Sequence, residues 1–330
     1  MALNYPRLDN ASGIWSMKEV TDAVKGGYWP NALSRAVFGG GRTPTALNTI
    51  DYVTMSSTGD AADFGDLTDT TLVMGPASSF TRGLWGGGET SPRAFIDYVT
   101  IMTTGNAADF GDITTGRFSP AGQSNATRGI WSGGGTPSVQ DIIDYVQIAS
   151  LGDATDFGNL SQARMYVGGG SSPTRALTEG GLAPSAVNTI DFIEIASTGN
   201  AQDFGDLINA LDGRAGGAAS STRLFTAGGT GPYPTTVESI EMASTGNSID
   251  FGDISAGRGR IGATSNSVRG LFGGGYTGAG VFDTIDYISI ANGGQSTDFG
   301  DLSVARDSTN GVSNSHGGLN EGNQGVVDTT

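Results

Sequence analysis

The sequence predicts an all-β protein, a six-bladed β-propeller of four-stranded antiparallel blades, and three observations predict it. A tripeptide recurs at almost constant spacing, each repeat holds four stretches of strand character, and the composition favours strands and turns over helices. The tripeptide is Asp-Phe-Gly, with its first residue at Asp63, Asp109, Asp156, Asp203, Asp250 and Asp298, giving spacings of 46, 47, 47, 47 and 48 residues. A period between about 20 and 50 residues marks a solenoid or propeller. Gly fills 55 of 330 positions and charged residues account for only 15%.

Upstream of the first repeat, Ser16-Met17-Lys18-Glu19 fits a capping box and Gly26-Gly27 a stop, so a short helix is expected over residues 17–25. Residues 1–34 are too short to form a domain and are expected to be an attachment segment. Their helix either docks onto a partner, the preferred reading, or plugs its own propeller.

Each repeat then follows one order. In the second copy the four strand-like stretches are Thr71 to Ser79, Arg82 to Gly86, Phe95 to Thr103 and Ala108 to Ile113, which is the strand count of a propeller blade. The second stretch opens on an Arg in every copy (Arg35, Arg82, Arg128, Arg175, Arg223, Arg269), with Gly-Gly five and six residues later. Two positions after that Arg is an apolar residue, and the next is aromatic in four copies. Neighbouring residues of a strand face opposite sides, so this strand is expected to be buried on both. The Gly pair permits a tight turn and close backbone approach where blades crowd. The third stretch, Thr-Ile-Asp-Tyr-Val-Thr in the first copy, is β-branched and aromatic, and Ser-Thr-Gly-Asn or a near variant links it to Asp-Phe-Gly as a turn.

The first copy lacks a first strand. Arg306 to Ser315 aligns with the first strands of later copies and is expected to complete the sheet containing Arg35 to Leu67, which sets the propeller at residues 35–315. The Gly- and Asn-rich stretch 316–330 is expected to be a flexible tail.

Charge and composition exclude several function classes. Lys plus Arg number 17 against 33 Asp plus Glu, a net charge of −16, and such a chain is repelled by phosphate backbones and anionic membranes. Nucleic acid is therefore not an expected partner. No Cys means no disulfide, thiolate catalysis or Cys-ligated metal, and His316 is the single histidine. The N-terminus lacks the basic start and apolar core of a signal peptide, and no run approaches the length of a membrane span, so no membrane insertion is expected.

Several motifs invite a chemical reading and are better explained structurally. Asp-Phe-Gly in six even copies without a kinase lysine or catalytic loop is not a kinase element. The triple glycines lack the Gly-Lys-Ser/Thr of a phosphate loop. Asp60, Asp63 and Asp66, like Asp153, Asp156 and Asn159, offer oxygens to a hard cation, but bonding to local backbone is the preferred reading, so no metal and no cofactor is expected. The repeated Arg is read as a repeated salt bridge or hydrogen bond rather than a cationic ring. His316 is expected to be exposed or hydrogen-bonded rather than catalytic.

The repeats resemble kelch repeats, which carry Gly-Gly after an apolar strand and a Tyr on the next; Tyr52, Tyr98, Tyr145 and Tyr287 match that Tyr, while Phe192 and Ser239 depart from it. The outer-strand Trp of the family is missing, with Phe64, Phe110, Phe157, Phe204, Phe251 and Phe299 in its place. Arg-Gly-Leu-Phe-Gly-Gly-Gly, Thr-Ile-Asp-Tyr-Ile and Asp-Phe-Gly-Asp-Leu look like the kelch-like repeats of marine bacteriophage, especially cyanophage, structural proteins. That resemblance covers roughly residues 35–315. It implies a non-enzymatic virion component assembled in the host cytoplasm, a tail-fibre or tail-associated adhesin held to other virion proteins through residues 1–34. A capsid decoration protein, a carbohydrate-binding or carbohydrate-active propeller and a cellular kelch adaptor are the alternatives. No Cys is present for the Cys-linked Tyr of kelch-type copper oxidases, and no sialidase box is found.

Loops between the second and third strands are expected to share one face with the connections between blades, and that face is the irregular one. Variable loops on a rigid scaffold are where recognition is built. Arg42, Arg93, Tyr233 and Tyr276 are the candidate contacts, to a host-surface glycan or protein, since Tyr and Arg dominate binding hot spots.

Overall fold

The computed structural model describes residues 34–319, apart from 90, 91 and 214. These residues form six four-stranded antiparallel sheets in sequence order round a common axis. From the axis outward, the second blade runs Gly75–Ser78, Arg82–Gly86, Phe95–Thr100 and Ala108–Asp112, and the others repeat it. The helix expected at 17–25, with the rest of the expected attachment segment up to residue 33, lies outside the described residues.

Blade one is assembled from both ends of the chain. Its outer three strands are Arg35–Gly39, Leu47–Thr54 and Ala62–Thr71, and its inner strand is Asn310–Ser313, with Ala36 opposite Ser313 and Gly39 opposite Asn310. The inner strands start later than the sequence suggests. Arg306 and its counterparts turn back under the blade instead of extending, and Ser308 takes a positive φ of 57° that no strand residue adopts.

Every second strand is buried along its length from its second residue, as expected of a strand sandwiched between neighbouring blades. The core is accordingly divided into six apolar clusters, one per blade interface. Between blades one and two, for example, Val37, Ile50, Phe64 and Leu67 pack against Trp85, Val99 and Ile101; between six and one, Leu271, Ile285, Phe299 and Leu302 meet Ala36, Phe38, Val53 and Met55. Burying these side chains is the main favourable term in folding.

The two glycine motifs have distinct mechanical roles. Both residues of each Gly-Gly pair have positive φ, as at Gly40 (64°) and Gly41 (109°), and a Cβ on Gly41 would lie 2.6 Å from the carbonyl oxygen of Asp307. The glycine of Asp-Phe-Gly admits the next blade: a Cβ on Gly65 would meet the Gly105 carbonyl oxygen at 2.5 Å. There the Gly105 N–H donates to Phe64 O and the Ala107 N–H to Asp66 O, and the same bonds recur from Gly59 to Phe299 and from Ala61 to Asp301. At blade six the turn is longer, and Gly294–Gln295 becomes a short fifth strand parallel to the outer strand of blade five.

Candidate functional site

The repeated Arg at the head of each second strand is consumed by blade architecture. Arg35 lies 4.3 Å above the Tyr52 ring and donates from Nη1 to Ile101 O in the next blade at 3.0 Å. Arg82, Arg128 and Arg175 repeat this towards Ile148, Ile195 and Met242, and Arg269 closes the circle on Met55 O of blade one. Beneath each guanidinium the ring meets the outer-strand Phe edge-on, as Tyr52 meets Phe64 at 5.9 Å and 78°. Arg223 differs because blade five has Ser239 where the ring would be; it pairs with the exposed Glu241.

A second set of arginines carries more of the interior, and it was not singled out from sequence. Arg117, Arg164, Arg258 and Arg306 are fully buried at the blade junctions and pair with Asp144, Asp191, Asp286 and Asp51 at 2.6, 3.1, 2.8 and 3.0 Å. Arg117 also donates to Gly133 O and Trp131 O, stitching the pair to the second strand. Burial pulls the guanidinium of Arg117 below its ordinary pKa and Asp144 pushes it back up. Two junctions hold Thr71 and Leu211 at the equivalent place. Opposite Thr71, Asp97 has no buried guanidinium; desolvation raises its pKa, against hydrogen bonds from the Thr68 hydroxyl and N–H.

The Asp-Phe-Gly aspartates are exposed, and three of them cap their own turn, Asp109, Asp250 and Asp298 accepting from the N–H two residues on at 3.1, 3.1 and 3.2 Å. Asp63, Asp156 and Asp203 occupy the same strand position in their blades. Asp60 does not join Asp63 and Asp66. Its carboxylate accepts from the Asp301 N–H of blade six at 3.1 Å. Among the described residues no group of three or more His, Asp or Glu is placed to hold a metal ion.

Of the four candidate contacts, the structure brings Tyr233 and Tyr276 together, edge-to-face with centroids 6.1 Å apart. It ties down the two arginines: Arg42 pairs with Asp307 at 3.3 Å and Arg93 with Asp69 at 2.9 Å. Arg93 borders the Thr71 junction, one of the two without a buried arginine, where a gap of about 10 Å³ remains between Thr68, Thr71 and Asp97.

The irregular face surrounds a cavity of about 80 Å³ on the propeller axis, lined by residues of all six blades. At its rim one equivalent residue per blade has φ between 52° and 59°: Val73, Ser119, Tyr166, Gly213, Arg260 and Ser308. Their backbones link round the mouth. Ser119 N–H donates to Val73 O, Gly213 to Tyr166, Arg260 to Gly213, Ser308 to Arg260 and Val73 to Ser308, five of six possible links. Phe118 packs on Tyr166 at 6.0 Å, and the Arg260 guanidinium lies 5.8 Å from the Tyr276 centroid. Burial first, and then Glu89, raise the Tyr166 pKa, so its phenol keeps its proton at neutral pH. Tyr166 and Arg260 could have been found in the sequence: their repeat position carries Val, Ser, Tyr, Gly, Arg and Ser, within an otherwise regular junction.

The opposite end of the axis is closed, which corrects the expectation of a tail from residue 316. His316, Gly317, Gly318 and Leu319 are buried, and His316 Nε2 lies 2.9 Å from Ser78 O while its Nδ1 accepts from the Gly318 N–H at 3.1 Å. Inner-strand serines form the surrounding wall, Ser78 donating to Ser313 O, Ser313 to Ser265 O and Ser171 to Ser124 O. Small glycines and a serine-lined channel make room that the sequence composition alone reads as tail. Residues 320–330 lie outside the described residues.

A scan against protein-family models finds no match to this chain, and a search of curated proteins finds none either.

Proposed function

We propose that the protein is a non-enzymatic binding propeller that presents its irregular face to a ligand, and that it serves as a tail-fibre or tail-associated adhesin of a bacteriophage virion, held to other virion proteins through residues 1–34. One observation carries the binding half of this reading. The repeated arginines and glycines serve blade architecture, whereas one position that varies from blade to blade, Val73, Ser119, Tyr166, Gly213, Arg260 and Ser308, rings the axial mouth on a uniform backbone. A rigid frame with exchangeable side chains is how recognition surfaces are made. The virion half rests on the resemblance of the repeats to those of marine phage structural proteins.

Cryo-electron microscopy of purified particles from the source tests the location. A six-bladed disc on a tail or capsid, with its irregular face outward, is the expected result; a protein found only free of particles overturns it. A carbohydrate-binding propeller is the second reading, and Tyr166, Tyr233 and Tyr276 favour it, because aromatic rings beside polar groups are what a sugar ring stacks on.

A further inference from the structure

We infer that the axial mouth binds the carboxylate of an acidic sugar, with Arg260 as its charged contact and Ser119 as a hydroxyl donor. The inference deepens the binding reading above and rests on it. Two independent features of the cavity carry it. The first is a cation left over: each other arginine with a described side chain is held by a hydrogen bond or ion pair, including Arg42, Arg93 and Arg223 on the surface. Among the described residues only the Arg260 guanidinium has neither, and it rests against the Tyr276 ring alone. Stacking occupies the face of a guanidinium and leaves its fork of N–H donors for a planar anion.

The second feature is an orphan hydroxyl. Ser119 is 6% exposed, lines the same cavity, and its Oγ has no hydrogen-bond partner. A buried hydroxyl without a partner is costly, on the order of 1–3 kcal/mol, and a ligand oxygen in the cavity removes that cost. The Tyr166 phenol on the same rim stays protonated, so it donates to an anion instead of repelling it.

Size and charge narrow the ligand. A volume of about 80 Å³ admits a carboxylate and part of one ring rather than a folded peptide. The rim also carries Asp212 and Glu89, near Arg260 and Tyr166 respectively, and the chain has a net charge of −16. A ligand with many negative charges is therefore disfavoured, and a single carboxylate on an otherwise neutral hydroxylated ring is favoured. Tyr276 stands beside Arg260, with Tyr233 packed edge-to-face on it, so aromatic surface adjoins the charged contact.

The test is calorimetric titration of the full chain with glucuronic acid, glucose, sodium acetate and an Asp-rich peptide. Glucuronic acid should bind, with glucose and acetate each at least about tenfold weaker, since a charge-assisted hydrogen bond is worth roughly ten- to a hundredfold in affinity. Arg260→Gln should weaken glucuronic acid by about tenfold or more and Ser119→Ala by several-fold, while Arg223→Gln, on the other face, leaves it unchanged; equal melting temperatures show that all three are folded. No heat with glucuronic acid at millimolar concentration, equal binding of glucose or acetate, tighter binding of the peptide, or an Arg260→Gln variant that binds like the wild type would each overturn the inference. A particle-bound disc whose surface binding depends on Tyr233 and Tyr276, without glucuronic acid binding, would overturn this inference and leave the adhesin reading standing.

Discussion

The Asn314 side chain accepts a hydrogen bond at 2.9 Å from the backbone N–H of Arg35, 279 residues earlier in the chain. In the other five blades the residue that caps the turn before the repeated Arg is local: Ser79, Asn125, Ser172, Ser220 and Asn266 bond the N–H three residues on. The C-terminal segment thus replaces the missing strand of blade one down to the cap of its hairpin.

Removing residues from Arg306 onward should therefore abolish folding, because blade one loses its inner strand, its buried Arg306 and this cap together. Expression of the truncated chain should yield aggregate, whereas Asn314→Ala should fold and lose about 1 kcal/mol, a typical net hydrogen bond. A truncated chain with native circular dichroism and a cooperative melt would show that closure is dispensable.

Arg117→Met should cost roughly 3–5 kcal/mol, since it strands the fully buried Asp144 carboxylate. Adding Asp144→Leu should restore most of that loss, as apolar replacement of a whole buried pair is commonly neutral. Urea melts of the two variants check this; a double variant no better than the single one would place the cost in lost packing rather than in stranded charge.

Arg82→Ala should destabilise by about 1–2 kcal/mol, combining the bond to Ile148 O with stacking on Tyr98. Arg223→Ala should cost less than about 1 kcal/mol, because blade five lacks the ring and the Glu241 pair is exposed. Equal losses at both positions would mean the stack contributes nothing.

Stability should fall as pH drops from about 6.5 towards 4, through His316. Burial lowers its pKa to about 4 in the folded protein, against an ordinary 6.5, with the Ser78 carbonyl opposing. The unfolded chain then binds a proton that the folded one does not, so stability is full above the ordinary value and declines below it, by up to about 3 kcal/mol. Melting temperatures of the wild type and His316→Gln, compared across this range, isolate the effect from that of the carboxylates: the difference between them should narrow as pH falls.

The blade count, the strand order and the doubly buried second strand were legible because each repeats at a fixed period, and six copies average out local ambiguity. Phe64 and its equivalents were legible as a repeated position for the same reason. Arg117 with Asp144 was not, because a pair 27 residues apart, buried against hydropathy, has no local signature. The mouth was half legible. Irregular loops pointed to Tyr233 and Tyr276, but Arg42 and Arg93 looked equally free in sequence, and only their distances to Asp307 and Asp69 show them spoken for. Arg260 and Tyr166 sit in a junction that otherwise repeats, so attention to loops passed over them.

The backbone ring round the mouth has a consequence for how this protein can change. Its links run between N–H and C=O groups, so the side chains of Val73, Ser119, Tyr166, Arg260 and Ser308 take no part in those links. Exchanging one of them changes the chemistry of the mouth while leaving these five links in place. The rim thus separates the groups that hold its shape, which are backbone, from the groups it offers to solvent or ligand, which are side chains and already differ at every blade but two.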